Sequence, residues 1–174
     1  MGGGPEKDKK FIQKIMFQIK NGLNELNIVD DKLGTPTYTH DFAENVQLLI
    51  NNNQRGLFNM VCEGFTGRLE VANEILSILY LDKKIKVNKV SSTFFNKEYF
   101  ADRPDCERLI NNKLNNLDLN IMRNWKVALR EYLEDYYKTY LIWALYFESF
   151  IRDIWPNFWV KNSMGKAWKR INPN

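Results

Sequence analysis

Residues 34–43 read GTPTYTHDFA, a turn running straight into a helix. Pro36 presets the backbone of the turn, and Thr39 offers a side-chain oxygen as helix cap. Phe42, Ala43, Val46, Leu49 and Ile50 then recur at helical spacing, which predicts that they form the buried face, up to the polar run Asn51–Asn53. Just upstream, Leu26–Val29 reads as a short strand ending at Asp30 and Asp31.

Working outward, Phe11, Ile12, Ile15, Met16 and Ile19 predict an amphipathic helix over Lys7–Asn21, with Asn21-Gly22 as its left-handed stop. Leu57–Cys62, between Gly56 and Gly64, suits a strand covered by helices on both faces. Thr66 is placed to cap a helix over Arg68–Leu79 whose Leu69, Ala72, Ile75, Leu76 and Leu79 share a face. Ile85 and Val87 mark a short strand with one wet side. Ser91–Asp105 has no period and contains Pro104, so an ordered loop is expected. A last helix from Met122 should bury Met122, Trp125, Ala128, Leu129, Tyr132, Leu133 and Tyr136.

The chain's 174 residues are 44% hydrophobic and 26% charged, the balance of a folded soluble domain rather than a disordered one. The net charge of +4 is spread among acidic residues, with no basic stripe to suit nucleic acid. Cys62 and Cys106 form no CxxC pair and have no histidines at ligand spacing, so neither a metal site nor a disulfide framework is expected. Gly2–Lys10 is polar, unlike a signal peptide, which makes the cytoplasm the expected setting.

Four segments, MGGGPEKDKKFIQKI (1–15), GTPTYTHDFA (34–43), RPDCERLINNKL (103–114) and MRNWKVALREYL (122–133), stand in an order and spacing that carry a family likeness. Together they resemble the carboxyl-terminal, substrate-binding part of the dTDP-4-dehydrorhamnose reductase family, extended short-chain dehydrogenases acting on sugar nucleotides. The resemblance runs from about Gly2 to about Tyr136. It implies an α/β fold that is part of the extended dehydrogenase fold: a substrate-binding lobe over residues 1–137 with several helices and few short strands. An aromatic, basic helical tail over 138–174 follows. The family's cofactor site and catalytic residues lie upstream of these segments, so the chain reads as a truncated enzyme, inactive alone. NAD(P)H belongs to the complete family enzyme, and no cofactor is expected in this chain. No GxGxxG or GxxGxxG follows a strand, Gly2–Gly4 reads as a flexible loop, and no YxxxK pair stands where the family uses one. No catalytic residue and no metal ligand is assigned.

Binding is what the resemblance carries over. The loop bearing Arg103 and Pro104 covers the sugar-nucleotide site in the family, and a guanidinium fork matches a phosphate. The other use of Arg103 is to pin its own loop to Asp105 or Glu107. Thr35, Thr37 and Tyr38 lie on the family's turn, where their hydroxyls either line the site or serve the turn itself. Asp41 corresponds to an acidic residue in the first helical turn, a structural position favoured by the helix dipole. His40, the single histidine, lacks triad partners and reads as a surface or capping residue. Arg68 departs from the aromatic or small residue that related reductases carry in its segment.

Beyond Tyr136 the chain is densely aromatic, and Tyr140–Phe147 is an uninterrupted apolar run, well short of the roughly 20 residues that span a bilayer. Packing or partner docking is one reading of this tail. Attachment to a membrane surface, with Lys161, Lys166, Lys169 and Arg170 at the headgroups, is the other. The leading functional reading is a sugar-nucleotide (dTDP-sugar) binding lobe linked to deoxysugar and polysaccharide biosynthesis. Its expected partners are a sugar nucleotide and a separate dinucleotide-binding half or further copies of the chain. The alternative is a non-catalytic protein-interaction or membrane-surface module that uses the tail.

Overall fold

The computed structural model describes residues 1–8, 10–95 and 104–138. In order they form α1 (Gly4–Lys7), α2 (Phe11–Lys20), β1 (Glu25–Val29), α3 (Thr39–Asn51), α4 (Arg68–Ile78), β2 (Lys86–Val90), a 3-10 turn (Ser92–Phe95), α5 (Asn112–Asn116) and α6 (Trp125–Tyr136). The aromatic tail and the membrane reading attached to it lie outside the described residues, as does Arg103.

β1 and β2 pair in parallel, Leu26 opposite Val87 and Val29 opposite Val90. A parallel pair needs a long crossover, and here α3 and α4 lie within it. At the carboxyl ends of the strands, the Asp31 carboxylate accepts hydrogen bonds from the Ser92 amide and the hydroxyls of Ser91 and Ser92 at 2.9–3.0 Å. These bonds, the Ser92 amide foremost, hold the Asp31 carboxyl below its usual range. α4 packs against β1 and α6, burying Leu69, Val71, Ala72, Ile75 and Leu76. α6 buries Trp125, Ala128, Leu129, Tyr132 and Leu133.

Several expectations are corrected, the cap of α4 among them: Gly67 stands there, and the Thr66 hydroxyl donates to the Gly67 carbonyl at 3.3 Å. The first helix is broken, because Asp8 takes an extended conformation and its carboxylate accepts the Lys10 amide at 3.0 Å and the buried Tyr132 hydroxyl at 2.8 Å. The amino-terminal glycines are built in rather than loose: Gly4 opens α1 at φ 67°, and a Cβ there would lie 2.5 Å from the Tyr136 ring. Tyr38, not Thr39, stands at the α3 cap position, and its side chain makes no capping bond. Leu57–Cys62 forms no strand. Tyr137 replaces Tyr136 in the core, since Tyr136 is 42% exposed whereas Tyr137 is fully buried.

The most instructive difference is the face of α3. Asp41, Asn45 and Leu49 point inward, while Phe42 and Ile50 are exposed, Ala43 is exposed and Val46 is half-buried. The helix turns its polar edge in because that edge is fully occupied. Arg123 Nε donates to both Asp41 oxygens at 3.1 Å, and its Nη1 reaches Glu131. Asn45 donates to the Leu119 carbonyl at 3.0 Å and accepts the Ile121 amide at 3.2 Å. The hydrogen bond from Arg123 lowers the Glu131 carboxyl below its ordinary value.

Removing Arg123 leaves a carboxylate that is 1% exposed without its counter-charge, a change that typically costs about 3–5 kcal/mol. Arg123→Ala should therefore shift the urea midpoint sharply downward. The double variant Asp41→Leu/Arg123→Met should recover much of the loss, because replacing both charges removes the desolvation problem along with the attraction. Equal instability of the two variants would contradict this account.

Candidate functional site

The turn between β1 and α3 borders a cavity of about 320 Å³, whose walls come from the start of α2, the turn residues 32–36, the start of α4, and Glu107. The local chain explains why these segments meet. Leu33 donates to the Asp105 carbonyl at 2.8 Å and accepts the Glu107 amide at 2.9 Å, and Gly34 donates to the Thr66 carbonyl at 3.0 Å. The turn is thus stitched both to the α4 entry and to the segment that follows Pro104.

Three cations and two carboxylates line the space: Lys10, Lys32 and Arg68, with Asp8 and Glu107. They are not equally available. Asp8 is buried and already accepts two hydrogen bonds. Lys32 is held by Asp105 at 2.7 Å. Arg68 is exposed and has no ion-pair partner among the described residues. An arginine as first residue of a helix sits at the positive end of the dipole, so local helix stability does not account for it. That mismatch of charge and position is visible in the sequence.

The named turn residues separate by role. Thr35 lines the cavity, and its hydroxyl donates to the Gly64 carbonyl at 2.9 Å. The Thr37 hydroxyl accepts the Cys62 amide at 3.4 Å. Tyr38 is buried, 3% exposed, its ring 5.6 Å from Tyr132 and 5.8 Å from His40. Neither Thr37 nor Tyr38 lines the cavity. His40 is exposed and 3.5 Å from Glu44, one helical turn on.

A nicotinamide dinucleotide does not fit the described residues. Its pyrophosphate needs a glycine-rich strand-to-helix turn with free amides. β1 leads instead into Asp30, Asp31 and the Pro36 turn, and β2 into the 3-10 turn. At the α4 entry, the Gly67 amide is taken by the Glu70 carboxylate at 2.9 Å.

The fold is that of an α/β lobe with a parallel strand pair, crossover helices and a cavity with a cationic rim, and among the described residues no strand runs into a glycine-rich dinucleotide turn. The RmlD substrate binding domain family matches residues 5–138, and the chain belongs to that family. It is 30% identical over 128 residues to a dTDP-4-dehydrorhamnose reductase of Mycobacterium tuberculosis, a match covering 73% of this chain and 40% of the relative. It is 29% identical over 120 residues to the spore coat polysaccharide biosynthesis protein SpsK of Bacillus subtilis, covering 69% of this chain and 40% of that one. Among solved structures, the dTDP-4-dehydrorhamnose reductase of Yersinia enterocolitica superposes with a TM-score of 0.69 at 30% identity, covering 77% of this chain and 46% of the other. The reductase of Clostridium acetobutylicum gives 0.66 at 31%, covering 74% and 44%. The chain therefore spans less than half the length of these relatives.

Burial pushes the Tyr38 phenol up to about 12 from its ordinary 10.0. A raised folded-state value means that the neutral phenol supports the fold fully below pH 10, and that this support is lost as pH rises from there through 12. Tyr38→Phe, which cannot ionise, should flatten the fall of stability across that window by up to one proton, about 1.4 kcal/mol per pH unit. Urea unfolding at stepped alkaline pH reads the slope; parallel slopes for the two proteins would refute the assignment.

Proposed function

We propose that this chain is the sugar-nucleotide-binding lobe of a dTDP-4-dehydrorhamnose reductase-like protein, serving deoxysugar and cell-surface polysaccharide synthesis in a cytoplasmic setting. The observation that carries the reading is the coincidence of the family match with the cavity beside the Thr35 turn, rimmed by Lys10, Lys32 and Arg68. A sugar nucleotide presents a diphosphate between two ring systems. Arg68 supplies a planar fork for one phosphate, the Lys32–Asp105 pair a fixed charge beside it, and Thr35 a hydroxyl at the wall. By the family resemblance Arg103, two positions before Asp105 in the sequence, is a further candidate for the phosphates. Thr37 and Tyr38 act from behind, by holding the turn.

The chain alone binds and does not reduce. Hydride transfer belongs to a complex with a dinucleotide-binding half, which brings NAD(P)H and the proton donor. No residue of this chain is given a part in the chemical step.

Calorimetric titration with a dTDP-sugar tests the reading. Saturable binding is expected, weakened roughly tenfold or more by Arg68→Ala, since a hydrogen bond to a charged group contributes about 1.5–3 kcal/mol. Arg103→Ala should act in the same direction, while exposed Arg130→Ala on α6 should leave affinity unchanged. Adding NADPH and a dTDP-4-keto sugar to the isolated chain should leave nicotinamide absorbance steady. Turnover by the chain alone, or affinity indifferent to both arginines, would overturn the assignment.

A further inference from the structure

Asn followed by Gly occurs once in the chain, at Asn21-Gly22, and the function proposed above makes no use of it. The pair closes α2. Asn21 is the carboxyl cap, at φ -81° and ψ 11°, and Gly22 follows at φ 78°. The Gly22 amide donates to the Ile19 carbonyl at 3.0 Å and the Leu23 amide to the Gln18 carbonyl at 3.1 Å, the paired bonds of a Schellman ending. Asn21 and Gly22 are both exposed, and a Cβ on Gly22 would meet nothing within 4 Å. The Asn21 carboxamide makes no hydrogen bond to a described residue.

We propose that Asn21-Gly22 is a site of spontaneous deamidation, and that the folded end of α2 holds the reaction back. The chemistry needs only water. The Gly22 nitrogen gives its proton to solvent base and attacks Cγ of Asn21. A cyclic imide forms, the Cγ–Nδ2 bond breaks, and ammonia leaves with a proton from water. Water then opens the imide on either side. Cleavage at Cγ leaves aspartate with the original backbone restored, whereas cleavage at the α-carbonyl leaves isoaspartate, whose backbone runs through Cγ. Glycine obstructs the attack least, having no Cβ. Two features of the fold oppose it. The Gly22 proton is held by the Ile19 carbonyl, and ring closure requires the Asn21 Cα–C bond to turn until the Gly22 nitrogen eclipses Cβ, well away from ψ 11°. The reaction therefore runs through conformers in which the last turn of α2 has opened. Its products keep that turn open. Either new carboxylate lies at the negative end of the helix dipole, and isoaspartate adds a methylene that breaks the spacing of the Gly22 and Leu23 bonds. β1 begins at Glu25, so the loosened segment is the link between α2 and the sheet.

Peptide mapping by mass spectrometry tests this on the full chain, kept at mildly alkaline pH with and without denaturing urea. In urea, Asn21 should convert ahead of every other asparagine, giving aspartate and isoaspartate together. In the folded chain its conversion should be roughly tenfold slower or more, since only opened conformers react. Gly22→Ala should slow the reaction in urea, where the fold plays no part and the added methyl obstructs the attack. Asn21→Asp should speed hydrogen exchange of the Gly22 and Leu23 amides about two- to fivefold, as a carboxylate at that end of a helix weakens it, with the α6 amides unchanged. Equal rates in the folded and the unfolded chain would overturn the control by α2. Another asparagine overtaking Asn21 in urea, Gly22→Ala reacting as fast as the natural chain there, or unchanged exchange in Asn21→Asp would each overturn the proposal as well.

Discussion

The buried carboxylate of Asp41 decides how the two ends of the lobe meet. A charge that is 1% exposed must be matched at close range or it opposes folding. The match comes from Arg123, 82 positions later in the chain, whose guanidinium is shared with Glu131 on α6. The arginine lies just ahead of α6, so satisfying Asp41 also fixes where that helix starts. The Asn124 side chain then caps it by accepting the Lys126 amide at 3.0 Å. Around the same point the Glu63 amide donates to the Arg123 carbonyl and the Trp125 amide to the Glu63 carbonyl. Residues 119–125 thereby join α3, the approach to α4 and α6, without belonging to a sheet.

That junction explains which parts of the fold were legible. β1, α4 and α6 follow from apolar periodicity because each buries an apolar stripe against another apolar surface. α3 was legible as a helix but not in its orientation. Periodicity ranks Phe42, Val46 and Ile50 above Asp41 and Asn45 as core residues, and nothing local tells that a backbone segment and an arginine wait opposite the polar edge. Leu57–Cys62 reveals the opposite limit, since a largely apolar composition does not by itself make a strand. Tyr136 and Tyr137 differ by one position at a helix end, where the helical period no longer assigns a face. Asp8 interrupts the helix expected from Lys7 onward, its carboxylate accepting the Lys10 amide and the Tyr132 hydroxyl instead.

The placement of the turn residues follows a related rule. Turn hydroxyls serve two purposes, and Thr37 and Tyr38 are consumed in ordering the chain: Thr37 by the Cys62 amide, Tyr38 by packing on Tyr132. What remains for a ligand is charge on the rim. Arg68 is the clearest case, for it stands where a helix disfavours a cation and where no described carboxylate has claimed it. Lys32 contributes differently, its ammonium positioned by Asp105 and its position tied to the loop that carries Arg103 in the sequence. Among the described residues the rim thus combines one exposed guanidinium with one ammonium held by a carboxylate.

Closure of the core follows from the same balance. α4 is held between β1 and α6, so most of the apolar area that α2, β1, α4 and α6 offer is buried within the lobe itself, and area of this kind is what offsets chain entropy. The exposed apolar side chains are scattered, from Phe17 on α2 through Phe42 and Ile50 on α3 to Leu57, Phe65, Tyr80 and Ile110. Apolar residues scattered in this way need no partner, and the α3 face is compatible with solvent, being the outer side of a helix anchored by its polar edge.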